Sequence, residues 1–408
     1  MKAIQDRAIV QWPLTPYTGW GSYGTQLVQA LLQRGGVLPL LACDNDHTPH
    51  CDPHWLAALQ HLERASISLR QALQRHQGQP GGLPTQAQIA FSPLGNGVPE
   101  SLCQVPHPIG VTFFECSRFD PADLDRMAAY RLLITGSRWN QRLLRDLGFQ
   151  QAELIHQGVD GSRFNPVPVP RLLDHRPLVI FSGGKLEARK GQDLVIAAFR
   201  KLLQHHPDAL LIAAWTNIGD IALDSIARSP HVEGSPSRGL SDAIAVWLGA
   251  NGVPLANVLV LPPMVNSRLP NVIKQADVAV FPSRCEGGTN LMAMETLACG
   301  VPTQVSANSG HMDLLDLEME HCLSVGQQGL GRVPASITNG YGGDPLGLWG
   351  ETDPDELLEG WLRIAAERQH WRRIGQKHAT AMQAMSWTHS MRRLLDLLEQ
   401  RGCLRPWP

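Results

Sequence analysis

Glu286 and Glu295 stand with eight residues between them in VAVFPSRCEGGTNLMAMETLACGVP (278–302), around a glycine pair and the start of a helix-forming run. A carboxylate accepts hydrogen bonds from two neighbouring hydroxyls, so each glutamate suits a diol. The apolar run 278–281 reads as a buried strand, Pro282 with Gly287 and Gly288 breaks it, and 291–298 has helical composition until Gly300 and Pro302 stop it. A helix start behind glycines leaves backbone N–H groups without internal partners and carries positive dipole charge. Gly287, Gly288, Thr289, Asn290 and Leu291 therefore offer amides to a phosphate. Glu295, in the first turns, is placed for a ribose diol and Glu286 for the hydroxyls of a sugar. Phosphate, ribose and sugar together describe a nucleotide sugar.

The elements that must position these groups alternate between strand and helix, the pattern of parallel α/β domains. In LVIFSGGKLEARKGQDLVIAAFRKL (178–202) a strand over 178–182 meets the turn Gly183-Gly184, and an amphipathic helix over 192–203 places Leu194, Val195, Ala198 and Leu202 on one face. Lys185 and Lys190 bracket the loop between them, with Arg189 as a further cation. Strands follow over 209–215 and 258–261. Nearer the start, 8–12 is a strand, TGWGSYGT (18–25) a glycine-rich loop, 26–33 a helix and 37–42 a strand. Gly19, Gly21 and Gly24 lie outside the usual register of a dinucleotide fingerprint. Glutamine, glycine and proline in 75–106 predict that the segment includes an exposed loop. Residues 109–115 read as a strand ending at Glu115, and 131–137 as a strand followed by a helix through Leu144. The prolines of 166–177 predict a semi-rigid hinge.

A chain of 408 residues exceeds what one core usually holds, so two domains are expected. Net charge is −2 with Lys and Arg scattered, which excludes the basic face that a nucleic-acid partner requires. The eight cysteines (43, 51, 103, 116, 285, 299, 322, 403) form no C-x-x-C pair and no zinc-type spacing, which predicts reduced, mostly structural thiols. No leader-like segment opens the chain and no apolar run approaches the ~20 residues that span a bilayer. A cytoplasmic protein is expected, with peripheral membrane contact left open.

The acidic segment resembles the signature of retaining glycosyltransferases with the GT-B fold, in particular family 4, where two glutamates precede ACGVP. That family separates them by seven residues; here the extra residue falls in the Gly287-Gly288-Thr289 loop. The resemblance covers nearly the whole chain, weakly before 109 and strongly after 150. It implies two Rossmann-like lobes facing across a cleft. An acceptor-side lobe (1–168) would be completed by a closing helix within 387–408, whose stripe is Leu394, Leu395 and Leu398, and a donor lobe would span 176–386. It further implies that Lys185 and Lys190 neutralise the donor diphosphate, that Gly19 and Gly21 approach its phosphates from the first lobe, and that Met264 and Val265 contact the nucleobase. SANSGHMDLL (306–315) resembles the segment that closes the donor side. The family's first-lobe histidine has no clear counterpart; Glu115 occupies that region, with His107 upstream.

Retention in this class is thought to proceed by front-face attack, with the leaving phosphate oxygen taking the acceptor proton. The expected activity is thus transfer of a sugar from a nucleoside diphosphate to an unidentified acceptor, whether glycan, lipid-linked sugar, small molecule or protein, with neither metal nor resident cofactor. Three alternatives stay open: a non-catalytic binding subunit, a GT-B nucleotide-sugar epimerase, and a metal-dependent enzyme using Asp44, Asn45 and Asp46 as a D-x-D motif.

Overall fold

The computed structural model describes residues 6–45, 52–215, 217, 222–317, 323–326, 329–333 and 347–406. They fall into two compact units, Met1–Phe114 with Phe119–Gly158 and Trp387–Pro408, and Glu115–Arg118 with Val159–Ser386. The passage between units lies at Gly158 and Val159, ahead of the proline-rich 166–177 segment. That segment is strapped onto the second unit, where Arg171 donates to the carbonyls of Lys274, Gln275 and Ala276.

The first unit holds a six-stranded parallel sheet of β1 (Asp6–Val10), β2 (Val37–Leu41), β3 (Ile89–Leu94), β4 (His107–Thr112), β5 (Leu132–Thr135) and β6 (Ala152–Leu154), in the order β2-β1-β3-β4-β5-β6. Two sequence expectations are corrected here. First, the segment expected as a glycine-rich loop is the opening of a helix, Gly19–Arg34, capped by Thr18, whose hydroxyl accepts from the Gly21 amide at 3.0 Å. None of its three glycines takes a left-handed φ. Close packing requires two of them instead: a Cβ on Gly21 would lie 2.1 Å from the Thr15 carbonyl oxygen, and one on Gly24 2.5 Å from Leu14.

The 75–106 segment includes the expected exposed loop, at 77–81, but is not loop throughout. It contains β3, buried between β1 and β4, and its start is the end of a helix, Pro53–His76. A strand covered on both faces lacks the alternation that would announce it. Second, the expected 109–115 strand ends at Thr112. The closing helix, Trp387–Gln400, packs in the first unit, burying Leu394 and Leu398 while Arg34 donates to Glu399 from its Nε at 2.8 Å.

The second unit is a parallel sheet of β7 (Val179–Gly183), β8 (Leu210–Ala214), β9 (Val258–Val260), β10 (Val278–Phe281), β11 (Thr303–Ser306) and β12 (Leu323–Val325), in the order β9-β8-β7-β10-β11-β12. Alternate residues supply opposite faces. Ile180, Leu211, Val278 and Val280 join one core with the Gln192–His205 helix and Trp361. Val179, Phe181, Ile212, Ala279 and Phe281 join the other, with Met294 and Leu297. Strand order reverses between β7 and β10. In open α/β sheets that switch point, at the carboxyl ends of the strands, is where ligands bind.

Candidate functional site

Both segments singled out by sequence leave the sheet at this switch point. After β7 the chain passes Gly183 and Gly184 into a short 3-10 turn, Ala188–Lys190, and then the Gln192–His205 helix. After β10 it runs through 282–290 into the Leu291–Ala298 helix, with Asn290 as N-cap. Glycine is needed where the two strand ends meet. A Cβ on Gly183 would lie 1.9 Å from the Met292 sulfur, and one on Gly191, at φ +72°, 2.2 Å from the Pro282 carbonyl oxygen.

Lys190 and Glu286 are brought together, with the ammonium 2.7 and 2.9 Å from the two carboxylate oxygens. Ser283 Oγ donates to Glu286 Oε1 at 2.6 Å, Asn290 Nδ2 to the same oxygen at 3.1 Å, and Arg189 Nη1 to Oε2 at 3.4 Å. Burial alone would raise the Glu286 carboxyl; Lys190 and Arg189 outweigh it and hold the group down to about 2. The Glu286 backbone is pinned as well, its N–H donating to Ser309 Oγ and its carbonyl accepting from Gly310 N–H. A carboxylate accepting five hydrogen bonds from four side chains has its lone pairs occupied. In this structure Glu286 is engaged by the cations of its own site.

Arg189, expected as an alternative phosphate contact, is 5% exposed and spends its guanidinium on Glu115, Glu187, Glu286 and the Cys285 carbonyl. Lys185 lies 3.2 Å from Glu187 and keeps a partly exposed side chain. The site is thus a lattice of alternating charge built from both loops, reached also by Glu115 from the short segment that packs with this unit. Burial raises the Glu115 carboxyl despite Arg189.

His311 is fully buried behind the acidic loop, where sequence reading assigned it no role. Asn290 Nδ2 lies 3.2 Å from its Nε2 and Ser306 Oγ 3.0 Å from its Nδ1. Those partners place the ring proton on Nδ1. Burial lowers the imidazole to about 4, so it is neutral at pH 7. Asn290 holds a positive φ of 60° while capping the Ala293 amide, a strained backbone that three side-chain contacts fix.

Glu295 faces a different environment. It is 7% exposed and accepts from Asn266 Nδ2 at 2.7 Å, a residue sequence reading passed over although it follows Met264 and Val265. Burial pushes its carboxyl up to about 8, opposed by the Asn266 hydrogen bond and aided by Asp160. Val265 is buried and caps the 3-10 turn Asn266–Arg268, and Met264 packs partly buried beside it. The segment expected at the nucleobase therefore adjoins the glutamate expected at the ribose. Gly287, Gly288, Thr289 and Asn290 are buried, and Leu291 and Met292 head the helix half-buried. Gly19 and Gly21 belong to the first unit.

Of the D-x-D triplet, Asp44 is exposed near Arg70, Asn45 accepts from the Leu14 amide, and Asp46 lies outside the described residues. No group of three or more His, Cys, Asp or Glu among the described residues could hold a metal ion. Six of the cysteines are free thiols; Cys51 and Cys322 lie outside the described residues. No described helix is long and apolar enough to cross a membrane.

Two parallel Rossmann-like sheets, one with cations and carboxylates at its switch point, define the GT-B class of glycosyltransferase folds. A sucrose-phosphate synthase from Thermosynechococcus elongatus superposes with a TM-score of 0.63 at 15% identity, covering 97% of this chain and 99% of that one. Anabaena HepE in complex with UDP gives 0.60 at 13% identity, covering 97% and 100%. At those identities the likeness establishes fold.

The family described as "Family 4 Glycosyltransferase in conflict systems" matches residues 136–394, and the chain belongs to it. A D-inositol 3-phosphate glycosyltransferase from Rhodococcus jostii is 26% identical over 189 residues, 44% of this chain and 38% of that protein. A mannosylfructose-phosphate synthase from Agrobacterium fabrum is 27% identical over 176 residues, 41% and 36%. The matched segments span less than half of these curated relatives.

Proposed function

We propose that this protein transfers a sugar from a nucleoside-diphosphate donor to a sugar-type acceptor, with retention of configuration and without a metal. The observation that carries this reading is the meeting of Lys190 and Glu286 at the switch point, beside the N-terminus of the Leu291–Ala298 helix. Charge builds on the diphosphate as the glycosidic bond breaks, and a cation with helix-end amides stabilises it. Lys190 and Lys185 would supply the cations, Glu295 with Asn266 would hold the ribose, and Glu286, released from Lys190 by the incoming diphosphate, would meet the sugar hydroxyls. The acceptor proton would pass to the leaving phosphate oxygen. UDP in the HepE complex and the sugar or polyol phosphates in the relatives' names favour a nucleotide donor and a sugar-type acceptor.

A second reading, a binding subunit without turnover, is favoured by the occupied state of Glu286 and the extra residue in its loop. Nucleoside diphosphate release from UDP-, GDP- and ADP-sugars by the purified protein decides between them. Release that persists in EDTA is expected. No release from any donor supports the binding subunit, and abolition by EDTA with recovery in manganese refutes metal independence.

A further inference from the structure

Arg284 lies two residues before Glu286, yet its side chain reaches away from the carboxylate cluster. Its guanidinium forms a bidentate pair with Asp193, Nη1 to Oδ1 at 2.9 Å and Nη2 to Oδ2 at 2.7 Å. Asp193 is fully buried and Arg284 5% exposed. Ser229 Oγ donates to Asp193 Oδ2 at 2.6 Å, and Arg284 Nε reaches Glu351 at 2.9 Å. The same arginine is tied to the turn that carries Lys190: Nη1 donates to the Ala188 carbonyl, and its backbone N–H donates to the Arg189 carbonyl at 2.7 Å. Its own carbonyl accepts from Gly350 N–H.

Every contact of Arg284 joins the loop after β10 to the loop after β7 or to the helix that follows it, save those to Glu351 and Gly350. A fork fixed at both nitrogens sets distance and orientation together, which a flexible ammonium would not. Lys190 follows the two carbonyls Arg284 grips, and Glu286 follows Arg284.

We propose that Asp193 and Arg284 are positioning residues whose buried pair sets the separation of Lys190 and Glu286, and with it the seat of the diphosphate. This rests on the donor reading above. A solely structural pair would contribute cohesion without setting that separation.

Replacing both members with apolar residues distinguishes the two roles. A buried ion pair exchanged for hydrophobic residues of similar volume commonly leaves stability unchanged, whereas removing one member strands a charge. The test is therefore Asp193→Leu with Arg284→Met, alongside Arg284→Lys, which keeps the charge and loses the fork. Two measurements are made on each folded variant: a crystal structure, read at the Lys190–Glu286 pair, and calorimetric titration with UDP, GDP and ADP.

In the double variant the turn carrying Lys190 is expected to shift off the phosphate seat, so that the pair separates beyond ion-pair distance and nucleoside diphosphate affinity falls on the order of 10- to 100-fold, with Arg284→Lys intermediate. Retention of the wild-type pair and affinity in the folded double variant overturns the proposal. Should the double variant not fold, Arg284→Lys decides by the same two readouts, an unchanged pair and affinity counting against. Should wild-type protein bind none of the three nucleotides, the donor reading fails, while the Lys190–Glu286 geometry still decides the positioning role.

Discussion

Glu295 gives the most quantitative test of how the site is built, because its environment should be visible in stability before any substrate is known. The carboxyl is 7% exposed and its folded value is about 8, raised from 4.5 chiefly by burial. A group that binds its proton more tightly folded than unfolded stabilises the fold below the unfolded value. That contribution is lost as pH rises through the folded value. The window is therefore about pH 4.5 to about 8. At 1.36 kcal/mol for each tenfold in proton affinity, the full loss is at most about 5 kcal/mol.

Glu295→Gln keeps the shape and the carbonyl that accepts from Asn266, and it does not titrate. Chemical denaturation of both proteins at pH 5, 6, 7 and 8 should therefore show the variant gaining on wild type by a few kcal/mol across the series, within that ceiling. Parallel stability curves would refute the buried, proton-holding description of this residue.

Glu286→Ala should leave affinity for a bare nucleoside diphosphate unchanged or higher, since it frees Lys190, while lowering sugar transfer about 10- to 100-fold, the worth of a charged hydrogen bond. Calorimetry and initial rates measure the two effects, and a weaker bare nucleotide would contradict the assignment. Gly310→Ala should cut turnover on the order of 100-fold, because its Cβ would lie 1.8 Å from the Gly288 carbonyl oxygen and force the acidic loop to shift. Wild-type rates in that variant would show that the loop's placement does not govern the reaction.

The donor side of the fold was largely legible in sequence because its strands and helices are bounded by sharp punctuation. Val278–Phe281 and Leu291–Ala298 have the bounds that Pro282, Gly287, Gly288 and Gly300 imply. The first unit was less so. Gly21 and Gly24 read as loop residues because glycine's two uses, φ freedom and close packing, cannot be separated without knowing that Thr15 presses against the first and Leu14 and Trp12 against the second. Ile89–Leu94 carries Ser92 and Pro93 and lacks alternation, so a central strand hid in a polar neighbourhood.

At the site, sequence brought forward Lys190, Glu286 and Glu295 but not the groups that tune them. Asn266 and His311 act across tertiary distance, and Asp193 pairs with Arg284 over 91 positions. The saturation of Arg189 by three carboxylates follows from burial, which no local pattern reports.

The central claim is that the β7–β10 switch point holds a nucleoside diphosphate through Lys190. Calorimetric titration of UDP, GDP and ADP into wild-type protein and Lys190→Ala addresses it directly, with thermal melting to confirm that the variant is folded. At least one of the three nucleotides should bind the wild type, and the folded variant should bind it roughly 10- to 100-fold more weakly, corresponding to about 1.5–3 kcal/mol for a charge-assisted contact. Equal affinity in the two proteins, or no binding of any of the three to wild type, would contradict it.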